Sequence, residues 1–332
     1  MHRSPEILLE PLELAPGQVL PCRILPGPMD GITEQSFLTA MSIRHWVPCW
    51  WTPFLRISTG VPRRSRLAAW LQPYLDTGLP VIAQIMGVAS DKLAETAGRL
   101  HEAGALCVDL NCACPSPKVI GNQGGGACLK DPAWIRDTLL AMRKCCGNRA
   151  ISVKIRAGFA SASELPDITA ALRQAQPNLV SLHYRTVTEM YKPVPDGLLR
   201  LRQAREALPD VPLFGSGDLF TADAALRMFQ ETGVDGVLPA RGLLANPALL
   251  LQIHDACKGL HRPELCPIEK IAFLRDLARS GCDSQRAPNG FLLRMCASLF
   301  GRDSELFQKL VNLRKLQASW KHLDQLCNPP PE

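Results

Sequence analysis

The residues best suited to chemistry sit in one stretch, VDLNCACPSPKVIGNQGGGACLKDP, from Val108 to Pro132. It carries Asn111, Cys112, Cys114, Cys128 and the glycine run Gly124, Gly125, Gly126. A thiol can donate a proton, attack as a thiolate or bind a metal. The Cys112-x-Cys114 spacing has no second pair and no nearby histidine to complete a metal site, so no metal is expected. Cys114, placed before Pro115 in a glycine-rich loop, is the thiol that chemistry would use. Glycines there would let backbone approach a flat ligand or a nucleic acid.

This loop must be held by something rigid. It opens from an apolar run, Ala105 to Leu110, and closes at Asp131-Pro132, a helix cap followed by proline at the first helical position. A strand that ends in a glycine-rich loop is where a parallel α/β fold places its active site. Seven further apolar runs share that pattern: Arg23–Leu25, His45–Trp51, Pro80–Ile85, Ile151–Arg156, Leu179–His183, Val211–Phe214 and Gly236–Leu238. Helix-period stripes alternate with them. Leu93, Ala97 and Leu100 follow Ser90 as a candidate cap and stop at Gly104; Ile135, Leu139 and Met142 form another, as do Ile168, Leu172 and Ala175, and then residues 224–232. Eight strand–helix units predict an α/β fold, a (β/α)8 TIM barrel. A doubly wound sheet is the alternative architecture. Past Pro247 the pattern turns helical, at 267–282, 288–301 and 303–324, with a proline-rich tail at 329–331. The expected organisation is an irregular lead-in over 1–20, a catalytic barrel over 21–250 and a C-terminal all-helical domain over 251–326.

In such a barrel the C-terminal strand ends face the active site. Collected in order they are Pro28, Met29 and Asp30; Gln84; Asn111, Cys112 and Cys114; Lys154 and Arg156; His183, Arg185 and Thr186; Ser216, Gly217 and Asp218; then Ala240, Arg241 and Gly242. The set lacks the paired acids of a glycosidase. It is rich in donors for a phosphate and an electron-rich ring. Ser216-Gly217 and Ala240-Arg241-Gly242 follow strands seven and eight, where barrels hold phosphate. Lys154 suits the edge of a flavin that gains negative charge on reduction. Taken singly, each has a plainer reading. Lys154 can be an ion-pair lysine, His183 and Gln84 hydrogen-bonded core groups, Arg241-Gly242 a turn, and Cys114 one more buried thiol. Their common rim is what argues for a site.

Composition bounds the rest. The chain has 332 residues, is 46% hydrophobic and carries a net charge of +6, a balance that suits a polyanionic partner. Thirteen cysteines without a CxxC pair imply a reducing, cytoplasmic setting. The N-terminal residues lack the apolar core of a signal peptide, and no run has the length of a membrane span, so no membrane partner is expected.

These residues resemble the tRNA-dihydrouridine synthase family, most closely its bacterial C type, from about Arg23 to Leu250. The most specific match is Asp109-Leu-Asn-Cys-Ala-Cys-Pro115 followed by Gly124-Gly-Gly-Ala127. Pro28-Met-Asp-Gly31, Gln84, Ser152-Val-Lys-Ile-Arg156, His183-x-Arg185-Thr186, Gly217-Asp218 and Arg241-Gly242 add to it. The resemblance implies FMN as cofactor, NADPH as reductant, tRNA as substrate and a monomer. It implies Cys114 as general acid, with Pro28, Met29, Asp30, Gln84, Lys154, His183, Ser216, Gly217, Asp218, Ala240 and Arg241 on the flavin. It places Arg56, Asn111, Arg156 and Arg185 near the uridine or the tRNA. The implied reaction moves hydride to uracil C6 and a proton from Cys114 to C5, with basic residues of the tail (Arg294, Arg302, Lys309, Arg314, Lys315 and Lys321) meeting RNA. Five positions depart from the family pattern: Gly27 for alanine, Ala113 for glycine, Tyr184 for glycine, Ser216 for asparagine and Ala240 for glycine. They keep two alternatives open, a flavin reductase of a small pyrimidine or enone and a non-catalytic RNA-binding paralogue.

Overall fold

A computed structural model of the chain describes residues 3–32, 35–283 and 289–328. Residue 288 of the second predicted tail helix and the stretch 329–331 lie outside the described residues.

The lead-in, expected to be irregular, carries regular elements from Pro5 onward. A 3-10 turn over Pro5–Leu9 precedes an antiparallel hairpin, β1 (Leu12–Ala15) and β2 (Gln18–Leu20), turned by Gly17 at φ 73. Strands this short give too little alternation to read from sequence. The hairpin plugs the N-terminal end of the barrel. Leu14, Ala15 and Leu20 join an inner cluster with Trp51, Ile82, Cys107, Leu179, Phe214 and Leu238. Gln18 fixes it in place: its Oε1 accepts from the Ala150 amide at 2.7 Å and its Nε2 donates to the Leu106 carbonyl.

The barrel follows as α1 (Gln35–Ser42), β3 (Trp50–Trp51), β4 (Leu55–Ile57), α2 (Arg64–Leu75), β5 (Val81–Gly87), α3 (Ser90–Glu102), β6 (Cys107–Cys112), the short α4 (Pro117–Gly121), α5 (Pro132–Cys146), β7 (Ala150–Arg156), α6 (Leu165–Ala175), β8 (Leu179–His183), α7 (Gly197–Ala207), β9 (Leu213–Ser216), α8 (Ala222–Thr232) and β10 (Gly236–Val237). All pairings are parallel, in the order β10-β9-β8-β7-β6-β5, with β3 and β4 both on β5 as two halves of one broken strand. The first predicted run lies along β10: Ile24 bridges Val237, and the Gly27 amide donates to the Pro239 carbonyl at 2.7 Å. This is the TIM barrel the eight apolar runs predict. Every residue of β6, β7 and β8 is buried, because helices cover one face and the barrel interior the other. Their sequences therefore read as largely apolar runs, with the polar residues at the positions that face the barrel interior.

Local signals hold at some helix ends and fail at one. Asp131 accepts from the Trp134 amide at 3.0 Å with Pro132 at the first position of α5, as predicted. Ser90 does not cap α3. The cap position is Ala89, and the Ser90 hydroxyl instead pairs with Thr138 Oγ1 of α5 at 2.6 Å. A tertiary partner outcompetes the local one.

Past the barrel come α9 (Gly242–Ala245), α10 (Leu249–Cys257), α11 (Pro267–Asp283), α12 (Asn289–Phe300), α13 (Glu305–Leu313) and α14 (Leu316–Cys327). The stretch predicted as one helix over 303–324 is two, broken at Arg314 with φ 55. Aromatic packing seats these helices on α1. Phe37 meets Phe273 and Phe291 edge-on at 6.2 and 6.4 Å, and Trp46 stacks on Phe273 at 5.7 Å. Arg44 pairs with Asp276 across the same interface.

Candidate active site

The strand ends converge on a cavity of ≈ 490 Å³. Pro28, Met29 and Asp30 line it from the segment beside β10; Gln84 comes from β5; Asn111 and Cys114 from β6 and its loop; Lys154 and Arg156 from β7. His183 of β8, Ser216 and Gly217 after β9, and Ala240 and Arg241 after β10 complete the ring. Residues distributed over most of the chain thus face one space. Sequence reasoning missed Phe54, Met190, Tyr191 and Leu244, which also line it. Tyr191 is half exposed, with the Arg241 guanidinium 4.3 Å and the Arg156 guanidinium 5.8 Å from its ring. Its only sequence signal is an aromatic in the loop after strand six.

Cys114 is held by its neighbours. Asn111 Oδ1 accepts from both the Ala113 and Cys114 amides at 3.0 Å. Asn111 is itself oriented by a buried chain: its Nδ2 donates to Gln84 Oε1 at 2.8 Å, Gln84 Nε2 to Asp109 Oδ2 at 2.7 Å, and Ser152 Oγ to Asp109 Oδ1 at 2.7 Å. Burial raises the Asp109 pKa to about 6, against the pull of those donors and of Lys154. The Gln84 amide is therefore spent largely on its neighbours. The triple glycine serves the same loop. Gly125 has φ 57, and a Cβ there would stand 2.9 Å from the Cys114 Cβ; one on Gly126 would crowd Val187 and the Cys114 carbonyl. The close approach that Gly125 and Gly126 permit in this loop is to Cys114 itself. Burial raises the Cys114 pKa above the ordinary thiol value, so it is protonated near neutrality.

The same cavity holds an unusual set of basic side chains. Lys154 is buried, and no hydrogen-bond or ion-pair partner holds its Nζ among the described residues. Its pKa is lowered to about 8, first by burial and then by Arg156, with Asp109 pulling the other way. His183 is driven well below its usual pKa by burial and by Arg156, Lys154 and Arg185. Its Nδ1 accepts from the Arg185 amide at 3.3 Å, which leaves the proton on Nε2 as a donor. Arg156 donates to the carbonyls of Ala113 at 2.9 Å, Thr186 at 2.9 Å and Met190 at 3.0 Å. It ties the Cys114 loop to the loop after β8.

Of the strand-end residues, Cys112, Thr186 and Gly242 do not line the cavity, and three residues assigned to flavin or RNA do not either. Arg185 is 1% exposed; it grips Asp218 through two bonds of 2.8 and 2.5 Å and donates to the Lys192 carbonyl, so it is a brace and not a surface group. Asp218 is spent on Arg185 and on Arg241, at 2.7 Å. Arg56 faces a neighbouring groove.

The departures from the family pattern also find physical accounts. A Cβ on Gly27 would meet the Ala240 Cβ at 2.8 Å, so the two substitutions are one exchange of a methyl across a single contact. Ala113 is not among the residues with positive φ, so alanine fits its backbone unstrained. Tyr184 points away from the cavity. It lies behind the turn after β9, where its hydroxyl accepts the Asp218 amide at 3.0 Å. A Cβ on Gly217 would fall inside its ring, and one on Gly197 would meet it at 2.8 Å. Ser216 lines the cavity beside His183, its register partner across β8 and β9.

A cavity at the C-terminal mouth of a parallel barrel, lined by a protonated thiol, an unpaired lysine, a neutral histidine and an arginine, defines a TIM-barrel enzyme. The sequence relatives are consistent with this. A family profile described as "Dihydrouridine synthase (Dus)" matches residues 26–284, and the chain belongs to that family of oxidoreductases. It is 31% identical over 233 residues to the tRNA-dihydrouridine(16) synthase of Yersinia pestis, covering 68% of this chain and 74% of that one. The tRNA-dihydrouridine(16) synthase of Haemophilus ducreyi is 29% identical, with 68% and 71% covered. The old yellow enzyme from Trypanosoma cruzi matches in fold, with a TM-score of 0.55 at 11% identity, over 80% of this chain and 94% of that one. Among the described residues no helix is long and apolar enough to cross a membrane, and no three His, Cys, Asp or Glu side chains group to hold a metal ion.

Proposed function

We propose that this enzyme reduces a uridine of tRNA to 5,6-dihydrouridine, with FMN as cofactor and NADPH as reductant, working as a monomer in the cytoplasm. The observation that carries the reading is the presence, in one cavity, of the protonated Cys114 and the unpartnered Lys154. The residues present fit FMN. Lys154 and the His183 Nε2–H are buried donors without a protein acceptor among the described residues, and they suit the ring's polar edge. Ser216, Gly217, Ala240 and Arg241 form a donor-lined corner for the phosphate, and Pro28, Met29 and Asp30 offer a wall for the ring. Gln84 and Asp218 act through the groups they hold. When bound, FMN supplies a hydride to C6 of the uracil. Cys114 would give its proton to C5. Asn111 keeps the thiol aimed, and Arg156 keeps its loop closed. The uridine is stacked in folded tRNA, so it must swing out to reach the cavity. The exposed Arg302, Lys309, Arg314, Lys315 and Lys321 on the 251–326 helices supply a basic face for the RNA, while Arg294 reaches the Gly31 carbonyl at the cavity lip at 3.2 Å. Thirteen cysteines without a CxxC pair support a reducing compartment.

The test is direct. Purified protein should carry FMN and, with NADPH, form dihydrouridine in tRNA from a strain lacking the gene. A colourless protein that FMN cannot reconstitute would sink the reading.

A further inference from the structure

A second groove, of ≈ 740 Å³, opens beside β4, walled by the loop Ser58–Arg63 and the first turn of α2. Arg56, Arg63 and Arg66 line it with the hydroxyl residues Ser58, Thr59 and Ser65, and no carboxylate does. Among the described residues none of these three arginines has an ion-pair partner, whereas their neighbours are neutralised: Arg64 pairs with Glu102, and Arg99 with Glu95 at 2.5 Å. The loop is held from behind. Arg99 Nη1 donates to the Pro62 carbonyl at 2.8 Å and Lys92 Nζ to the Thr59 carbonyl at 3.4 Å. The result is a fixed concave surface with three uncompensated positive charges and hydroxyl donors, and α2 begins there without a side-chain cap. The groove adjoins the active cavity along the chain: Phe54 lines the cavity, and the next residues, Leu55 and Arg56, line the groove.

We propose that this groove binds backbone phosphates of the RNA that presents its uridine to the cavity; the inference rests on the function proposed above. The ligand must be a polyanion with charges spread along it, because the arginines are exposed and distributed and not gathered around one buried point. A phosphodiester chain that stays at the surface while one base enters the neighbouring cleft meets that description. A nicotinamide nucleotide's phosphate is the competing source of the same chemistry.

The experiment uses the full-length holoenzyme carrying Arg63→Gln and Arg66→Gln, both at exposed positions. Affinity for tRNA is titrated at several salt concentrations, with flavin content and the NADPH dependence of flavin reduction measured in parallel. The expected result is unchanged flavin content and unchanged KM for NADPH, weaker tRNA binding, and a slope of log affinity against log salt shallower by about 2, since each phosphate left without its arginine lowers the slope by about 0.9. Unchanged tRNA affinity and slope would overturn the proposal. So would a raised KM for NADPH with tRNA binding intact, which assigns the groove to the dinucleotide. Failure of the parent reading looks different: the unsubstituted protein would then bind no FMN or form no dihydrouridine, whatever the salt slope of its double variant.

Discussion

In the proposed reaction Cys114 and Lys154 divide the chemistry between them, and each makes a separate prediction. Replacing Cys114 by alanine should abolish dihydrouridine formation and leave FMN bound, because the thiol gives a proton and does not grip the ring. Dihydrouridine at the wild-type rate in that variant would remove Cys114 from the mechanism. Lys154 predicts a pH dependence. Its folded pKa, about 8, lies below the ordinary lysine value, so the folded apoprotein binds this proton less tightly than the unfolded chain. The penalty for burying the charge is full below pH 8 and fades as pH rises through the window from about 8 to about 10.4. Lys154→Met should therefore raise the apoprotein's Tm at pH 7, and that advantage should shrink by pH 10. A gap that stays constant across the window would mean the amine is not strained by burial. At residue scale the Gly27 and Ala240 pair is a third case. Gly27→Ala alone should cost about 1–3 kcal/mol through overcrowding. Adding Ala240→Gly should recover most of that deficit, a coupling that chemical denaturation of the four combinations can measure.

At the scale of elements, the thiol loop is a product of three strands. The chain Ser152–Asp109–Gln84–Asn111 crosses β7, β6 and β5 and ends on the amides of Ala113 and Cys114. Asp109→Ala removes the shared acceptor and strands two buried donors, which should destabilise the fold by about 2–6 kcal/mol, at about 1–3 for each donor. The milder Asn111→Ala should keep the fold and the flavin but slow dihydrouridine formation, because the two loop amides are left without their common acceptor. Equal rates for Asn111→Ala and the wild type under single turnover would show that the loop holds itself. Tyr184 plays the matching part on the other side of the barrel, where its ring fills the space that Gly217 and Gly197 leave open. Its sequence position puts that bulk near the pocket, yet the residue turns outward, behind the Ser216–Asp218 turn. Similarly Arg185 reads as a substrate-facing residue by its position after β8 but is buried as a brace. Alternation along a strand can say which residues reach the rim; it cannot say which of them a partner such as Asp218 has already claimed.

At the scale of the whole molecule, the helical segment packs on α1 and Trp46 through Phe273 and Phe291, beside the cavity's first loop. Arg294 touches that loop at Gly31. Changing Lys309, Lys315 and Lys321 together to glutamine should weaken tRNA binding and flatten its salt dependence without altering flavin content, because these exposed side chains lie away from the cavity. A triple variant that binds tRNA as the wild type does would move the RNA to another face.

The barrel and the rim of its mouth were legible in the chain before any coordinates. A parallel sheet buried on both faces forces eight apolar runs separated by amphipathic helices, and topology sends each run's end to one side. Val108 to Pro132 also announced its own boundaries, because a cap and a proline act locally. What those residues do to one another came from packing in three dimensions: Gly125 and Gly126 make room for Cys114, Gly27 and Ala240 share one methyl's space, Ser90 leaves its cap for Thr138, and Arg56, Arg63 and Arg66 face a groove without acids. Such facts depend on residues far apart in the chain, where volume and charge are balanced in space and leave no period or spacing behind.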